Sequence, residues 1–138
     1  MQQFLTKMSN PILNIEFITP EEKKGKAKAL FDSGSFYTIL REDKLPKNTK
    51  FETYKRKREF GTADKKGKIE ITGTTRLIIK IGNKMIEASA FISPDLSTEF
   101  IIGAGTMQSW DITIKNKNGK TTVVVGHDMR DEEITRVV

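Results

Sequence analysis

Ala29-Leu30-Phe31-Asp32-Ser33-Gly34-Ser35-Phe36-Tyr37-Thr38-Ile39-Leu40 is the stretch on which the reading of this chain turns. An apolar run delivers one acid, one hydroxyl and one glycine, and the apolar character then returns. Asp, Ser and Gly are all turn formers. A solvated turn, however, is not ordinarily flanked by Ala-Leu-Phe on one side and Tyr-Thr-Ile-Leu on the other. A carboxylate pressed between hydrophobic segments is costly unless it is paired, hydrogen-bonded or able to hold a proton. Asp32 is therefore the candidate catalytic residue, with Ser33, Gly34 and Ser35 as its loop.

Upstream of the loop, residues 12–19 alternate well enough for a half-buried strand. Residues 20–26, with Pro20, Gly25 and five charges, read as a hairpin turn. Residues 27–31 are the returning strand, so a hairpin carries the acid to its end. Downstream, residues 41–50 read as a loop, with Pro46 and Asn48 breaking any regular element. Residues 54–62 and 68–72 read as strands joined by the turn signal Asp64-Lys65-Lys66-Gly67. Gly73 allows a bulge or a bend, after which residues 75–81 form a strand. Gly82-Asn83 suits a two-residue turn of the mirror-image type, residues 84–92 return, and Pro94-Asp95 ends the strand. No stretch carries a helical period over three turns. The expected class is all-β, a small closed barrel or sandwich with turn signals roughly every 8–12 residues.

A second element lies at Glu99-Phe100-Ile101-Ile102-Gly103-Ala104-Gly105-Thr106-Met107-Gln108-Ser109-Trp110. An apolar strand runs into glycine, and a short segment then repeats apolar residues at Met107 and Trp110, spaced for one helical face. A glycine at such a strand end implies close approach to another backbone, where a Cβ has no room.

The chain has 138 residues, enough for one domain with a real core, with residues 1–11 and 126–138 as terminal segments. It has no cysteine, which removes disulfides and thiolate metal sites. His127 is the only histidine, so a multi-histidine metal cluster is excluded and a Ser-His-Asp site disfavoured; in Gly126-His127-Asp128 it reads as a surface loop residue. No metal or cofactor is expected. The N-terminal segment offers only Phe4-Leu5 as an apolar core, too short for a signal peptide. No window approaches a membrane span, so the chain reads as soluble and cytoplasmic, with no membrane partner. The net charge of +6 comes largely from residues 21–28 and from Lys44 to Arg58, with its run Lys55-Arg56-Lys57-Arg58. A basic cluster can mark a nucleic-acid contact. Lysines also guard exposed strand edges, and Phe51, Tyr54 and Phe60 show no stacking-platform spacing, so the edge reading is preferred.

The two elements together resemble the aspartic proteases, and with one acid loop in a short chain they resemble the retropepsin branch, over roughly residues 12–114. The resemblance implies a retropepsin-like all-β barrel with one short helix after the Ile-Ile-Gly strand. It implies an aspartic endopeptidase that is a homodimer acting on polypeptide. Asp32 of each subunit would contribute to a dyad; two carboxylates that close cannot both ionise, so the pair holds one proton and supplies both acid and base. Ser33 would brace the two loops across the two-fold, and Gly34 would leave its N–H near the carboxylates. Ile101, Ile102 and Gly103 would support the loop. Thr62, Ala63, Asp64, Lys65, Lys66 and Gly67 would form the flap, assigned from the position of the hairpin. The termini, residues 133–138 above all, would pair across the dimer. Viral members usually carry an acid two places after the loop glycine and an Arg directly after the later one, and these pair; here the places hold Phe36 and Ala104. The Asp or Asn often found two places after the later glycine is Gly105. Two alternatives stand beside this reading. One is a basic β-barrel that binds nucleic acid through Lys44 to Arg58, and the other an inactive protease-like dimer used for peptide binding or assembly.

Overall fold

The computed structural model describes residues 10–61 and 67–130. Period-two alternation builds the strands, as a sheet with one buried face demands. In β1 (Ile12–Ile18), Ile15 and Phe17 point inward. In β2 (Lys24–Asp32), Ala27, Ala29 and Phe31 are buried while Lys24, Lys26 and Lys28 alternate outward or sideways. β3 (Ile39–Arg41) is short, followed by one 3-10 turn at Glu42–Lys44. β4 (Glu52–Gly61) is almost wholly exposed, whereas β5 (Lys68–Ile81) and β6 (Lys84–Ser93) alternate into the core. β7 (Phe100–Gly103) is buried throughout and leads directly into α1 (Ala104–Ser109). A separate hairpin, β8 (Ile112–Lys117) and β9 (Lys120–Val125), completes the chain order.

The strand order is β1-β2-β7-β3-β6-β5-β4, and β1 also pairs with β5. Six strands thus close on themselves, with β4 attached outside as an edge. The fold is a mostly-β closed barrel with one short helix, as expected. Phe17, Phe31, Phe100, Ile79, Ile86 and Ile102 fill its centre, all fully buried. α1 caps one end through Met107, and Trp110, just past the helix, donates its indole N–H to the Glu87 carbonyl at 2.9 Å. Among the described residues no helix is long and apolar enough to cross a membrane.

Several local expectations change. The first hairpin turn is tighter than residues 20–26: Thr19 N–H donates to the Lys23 carbonyl at 2.9 Å, and Gly25 already lies in β2 opposite Phe17. That glycine serves packing, since a Cβ there would overlap the Phe17 ring. Gly73 does not interrupt its strand. Its two expected segments form one 14-residue strand in which Gly73 pairs with Thr53 on one side and Ile92 on the other. The irregularity falls instead in β4, where the register shifts between Thr53 and Arg58. The β8–β9 hairpin, turning at Asn118-Gly119 with positive φ at both residues, was not anticipated.

The C-terminal segment within the described range packs on its own chain. Gly126 N–H donates to the Asp111 carbonyl at 3.0 Å, and the His127 ring packs at a tilt against Trp110 beside Asp111. Asp128 is buried and accepts from the Arg130 backbone and guanidinium, while Arg130 also reaches the Asn83 carbonyl at 2.7 Å. The terminal strand expected at residues 133–138 lies outside the described residues, as do residues 1–9.

Candidate active site

β2 and β7 run parallel in a register that sets Phe31 beside Ile102 and Asp32 beside Gly103. The two elements singled out in the sequence are therefore neighbours in space. Glu99 helps to hold them: its carboxylate accepts the Lys28 N–H at 2.8 Å, and this bond, with Lys44 nearby, keeps the carboxyl below the usual carboxylate range. Asp32 ends β2 half-buried. Its Oδ1 accepts the Gly34 N–H at 2.9 Å, and its carbonyl accepts the Ser35 N–H at 3.1 Å. The chain thus folds the loop tightly around one carboxylate oxygen. Ser33 is exposed, and Ser35 is half-buried with its hydroxyl donating to the Tyr37 carbonyl at 3.1 Å.

The start of α1 clamps the far side of the loop. Ala104 N–H donates to the Ser35 carbonyl at 2.6 Å, and Gly105 N–H to the Phe36 carbonyl at 2.9 Å. Gly103 has no room for a side chain, because a Cβ would overlap the Tyr37 carbonyl oxygen and stand 2.6 Å from that of Phe36. Ile101 and Ile102 flank it on opposite faces: Ile102 enters the main core, while Ile101 joins Ile39, Ile71 and Leu96 in a smaller cluster under the loop.

At Phe36 and Ala104, where the viral pattern has a charged pair, backbone bonds join the two stretches. Two backbone hydrogen bonds tie these stretches together, and the Phe36 ring lies over Gly105, where a Cβ would meet its Cζ at 3.1 Å. The Phe36 ring uses the space that a side chain at 105 would fill. Sequence reasoning missed a further tie. The Thr38 hydroxyl accepts the Gly103 N–H at 3.1 Å and shares a 2.6 Å hydrogen bond with the Thr106 hydroxyl, all buried. Its only signal was a threonine set between tyrosine and isoleucine in the opening stretch. Thr106→Val keeps the shape and removes this partner, so it should cost about 1–3 kcal/mol by leaving a buried hydroxyl short of a bond. Urea denaturation measures that loss, and Thr106→Ser should recover most of it.

A cleft of about 690 Å³ opens over the loop. Asp32, Gly34 and Ser35 line it together with Phe36, Tyr37, Phe60, Ile69, Leu96 and Ile101. One wall is the base of the β4–β5 hairpin, where Phe60 pairs with Ile69 and Gly61 with Lys68. Of the flap residues expected from sequence, Gly67 falls in the described range beside this wall; Thr62, Ala63, Asp64, Lys65 and Lys66 lie outside it. Tyr37 stacks on Phe60 with ring centroids 4.7 Å apart, and Phe91 meets both edge-on. The basic run lies on exposed edge strand β4, with Arg58 over the Tyr54 ring at 4.2 Å and Lys57 3.6 Å from Glu70. This is the edge-guarding arrangement.

The model of the retroviral aspartyl protease family matches residues 7–115. The chain belongs to that family. Solved structures agree on the fold. The retroviral protease-like domain of Ddi1 from Leishmania major superposes with a TM-score of 0.55 at 18% identity, covering 86% of this chain and 98% of that one. The EIAV protease, complexed with the inhibitor HBY-793, superposes with a TM-score of 0.50 at 16% identity, covering 74% of this chain and 88% of its own. No curated protein sequence matches the chain. The retropepsin-like assignment therefore rests on the family model and on the barrel, and Asp32, Gly34 and Gly103 occupy neighbouring positions within it.

Proposed function

We propose that the protein is an aspartic endopeptidase whose catalytic dyad forms between the Asp32 residues of two identical chains. The observation that carries this is the half-buried Asp32, which lines a cleft with mainly apolar walls and is oriented through Oδ1 by the Gly34 N–H. Peptide hydrolysis needs a base to take a proton from water and an acid to protonate the carbonyl oxygen. One carboxylate cannot do both at once. Two carboxylates brought together by a two-fold axis share a proton and divide the roles. The water sits between them and gives a proton to the ionised carboxylate as its oxygen bonds to the scissile carbonyl carbon, whose oxygen takes the shared proton. The C–N bond then breaks as the nitrogen takes a proton from one carboxyl and a hydroxyl of the tetrahedral intermediate returns one to the other, which leaves acid, amine and a singly protonated dyad. Ser33, exposed beside Asp32, is available to brace the opposite loop. The cleft takes the substrate as an extended strand, with the base of the β4–β5 hairpin as one wall.

A C2 dimer is the arrangement by which one such loop per chain yields a dyad. Sedimentation equilibrium at about micromolar concentration and above should give twice the chain mass of 15.6 kDa. A strict monomer throughout that range would remove the catalytic reading. Cleavage of a mixed peptide library by the purified dimer is the direct test of activity.

A further inference from the structure

We infer that the lysine row on the outer face of β2 is a groove for an acidic stretch of the polypeptide substrate, held about four to eight residues away from the bond to be cut. This rests on the proposed endopeptidase activity and names a substrate feature that is read outside the cleft.

Alternate residues of a strand share a side, so Lys24, Lys26, Lys28, Leu30 and Asp32 fall on one face of β2. The three lysines are exposed, while Leu30 and Asp32 line the cleft. The neighbouring stretch repeats this change of character. Glu99 accepts the Lys28 N–H, and two residues on Ile101, opposite Leu30, lines the cleft. Lys26, Lys28, Lys44 and Glu99 border a shallow groove of about 460 Å³. Groove and cleft are therefore consecutive along one face of the same two segments. At about 3.3 Å per residue, Lys28 stands roughly 13 Å back from Asp32 and Lys24 roughly 26 Å. A two-fold dimer offers one such groove per chain, one for each side of the scissile bond.

The spacing and the charges choose the occupant. Lys24, Lys26 and Lys28 repeat at about 6.6 Å, and an extended peptide with an acid at every second residue repeats at the same interval. Among the described residues none of the three lysines is in a salt bridge, so no partner has to be displaced. Lys80 adds to the field, opposite Glu16 on β1, which in turn lies opposite Lys26. Glu16 and Glu99 interrupt it, the latter 3.4 Å from Lys44. A peptide with neutral residues between its acids passes these two carboxylates, whereas a polynucleotide with a phosphate at every unit meets both. The outward residues of adjoining β1 are Ile12, Asn14, Glu16 and Ile18, with no ring on which a base could stack. The face therefore fits an acidic polypeptide segment better than a nucleic acid.

The test separates recognition from turnover. Full-length protein carrying Asp32→Asn is titrated with fluorescent peptides that share one octapeptide core and differ in an extension at either end: alternating Asp and Ser, Ser alone, or alternating Lys and Ser. At about 50 mM salt the acidic extension should tighten binding at least about five-fold over Ser, and the basic one should weaken it. The gain should vanish at about 0.5 M salt, where exposed ion pairs are screened. Adding Lys24→Gln, Lys26→Gln and Lys28→Gln together should erase the difference between acidic and Ser extensions. The three side chains are exposed, so the variant should fold, which circular dichroism checks; Lys28→Gln alone should remove part of the gain. Equal affinities across the series, an acidic preference that survives the triple substitution, or a preference insensitive to salt would each overturn the groove. A single-stranded RNA oligonucleotide that displaces the acidic peptide at lower concentration than the unlabelled peptide itself would assign the face to nucleic acid and also overturn it. Cleavage by the unmutated protein is scored separately. Acid-selective binding without cleavage would defeat the proposed activity and leave the groove standing, and cleavage indifferent to the extensions would do the reverse.

Discussion

Asp32→Asn is expected to abolish peptide hydrolysis while leaving the barrel folded. The asparagine amide has nearly the shape of the carboxylate, and its oxygen can still accept the Gly34 N–H that Oδ1 accepts at 2.9 Å. The loop geometry therefore persists, as do the bonds from Ala104 and Gly105 that lie beyond the side chain. The chemistry does not persist. An amide takes no proton from water and holds none for the carbonyl oxygen. General acid–base catalysis alone is worth about 10²–10⁴-fold, and positioning of the water is lost with it. Turnover should fall by about three orders of magnitude or more. In a symmetric dimer the substitution enters both halves of the dyad at once, so no intact carboxylate remains. The measurement is cleavage of a mixed peptide library by both proteins over about pH 3 to 7. Mass spectrometry identifies the cut sites. Equal cleavage by the two proteins would point to a contaminating protease and sink the assignment of Asp32.

The sequence was most legible where a residue type had one physical use. Strands β1, β2, β5 and β6 were readable because each buries one face, and alternation then follows from the pleat. The pairing of the two candidate motifs was readable through Gly103, since a glycine at an apolar strand end signals close backbone approach, and the Tyr37 and Phe36 carbonyls supply that backbone. Gly25 and Gly73 misled because glycine has two uses. Each sits inside a strand to admit a neighbour, the Phe17 ring at Gly25 and the Phe51 ring and Glu52 carbonyl at Gly73, whereas local sequence favours turns and bends. The β8–β9 hairpin had a clear local signal in Asn118-Gly119 flanked by Ile112, Ile114, Val123 and Val125, but it falls beyond the motif-bearing region. The tie between Thr38 and Thr106 was beyond reach. It joins residues far apart in the chain, and a threonine hydroxyl carries no pattern that announces its partner.

Gly103→Ala should be strongly destabilising, although it adds a single methyl group. The backbone at Gly103 is extended, with φ −91° and ψ 175°, so alanine meets no conformational penalty there. The penalty is contact. The added methyl would overlap the Tyr37 carbonyl oxygen, with the Phe36 oxygen and the Tyr37 carbonyl carbon each 2.6 Å away. These are backbone atoms of a loop held by four hydrogen bonds, from Gly103, Ala104 and Gly105 and between the two threonines. The loop cannot swing aside without stretching them. Overpacking of this kind costs roughly 1–3 kcal/mol, and a weakened buried hydrogen bond adds roughly 1 kcal/mol more. A loss of about 3 kcal/mol is thus expected, a large share of the stability of an ordinary domain. Because Gly103 lies beside Asp32 in the parallel register, any relief by loop movement also shifts the carboxylate, so activity should fall beyond what the lost stability explains. Gly61→Ala is the control, since a Cβ there meets no atom within 4 Å. Urea midpoints for the two variants, together with turnover measured well below the unfolding transition, decide the matter. If Gly103→Ala is no more destabilising than Gly61→Ala, the loop and α1 can slide apart freely, and the clamp does not fix the acid.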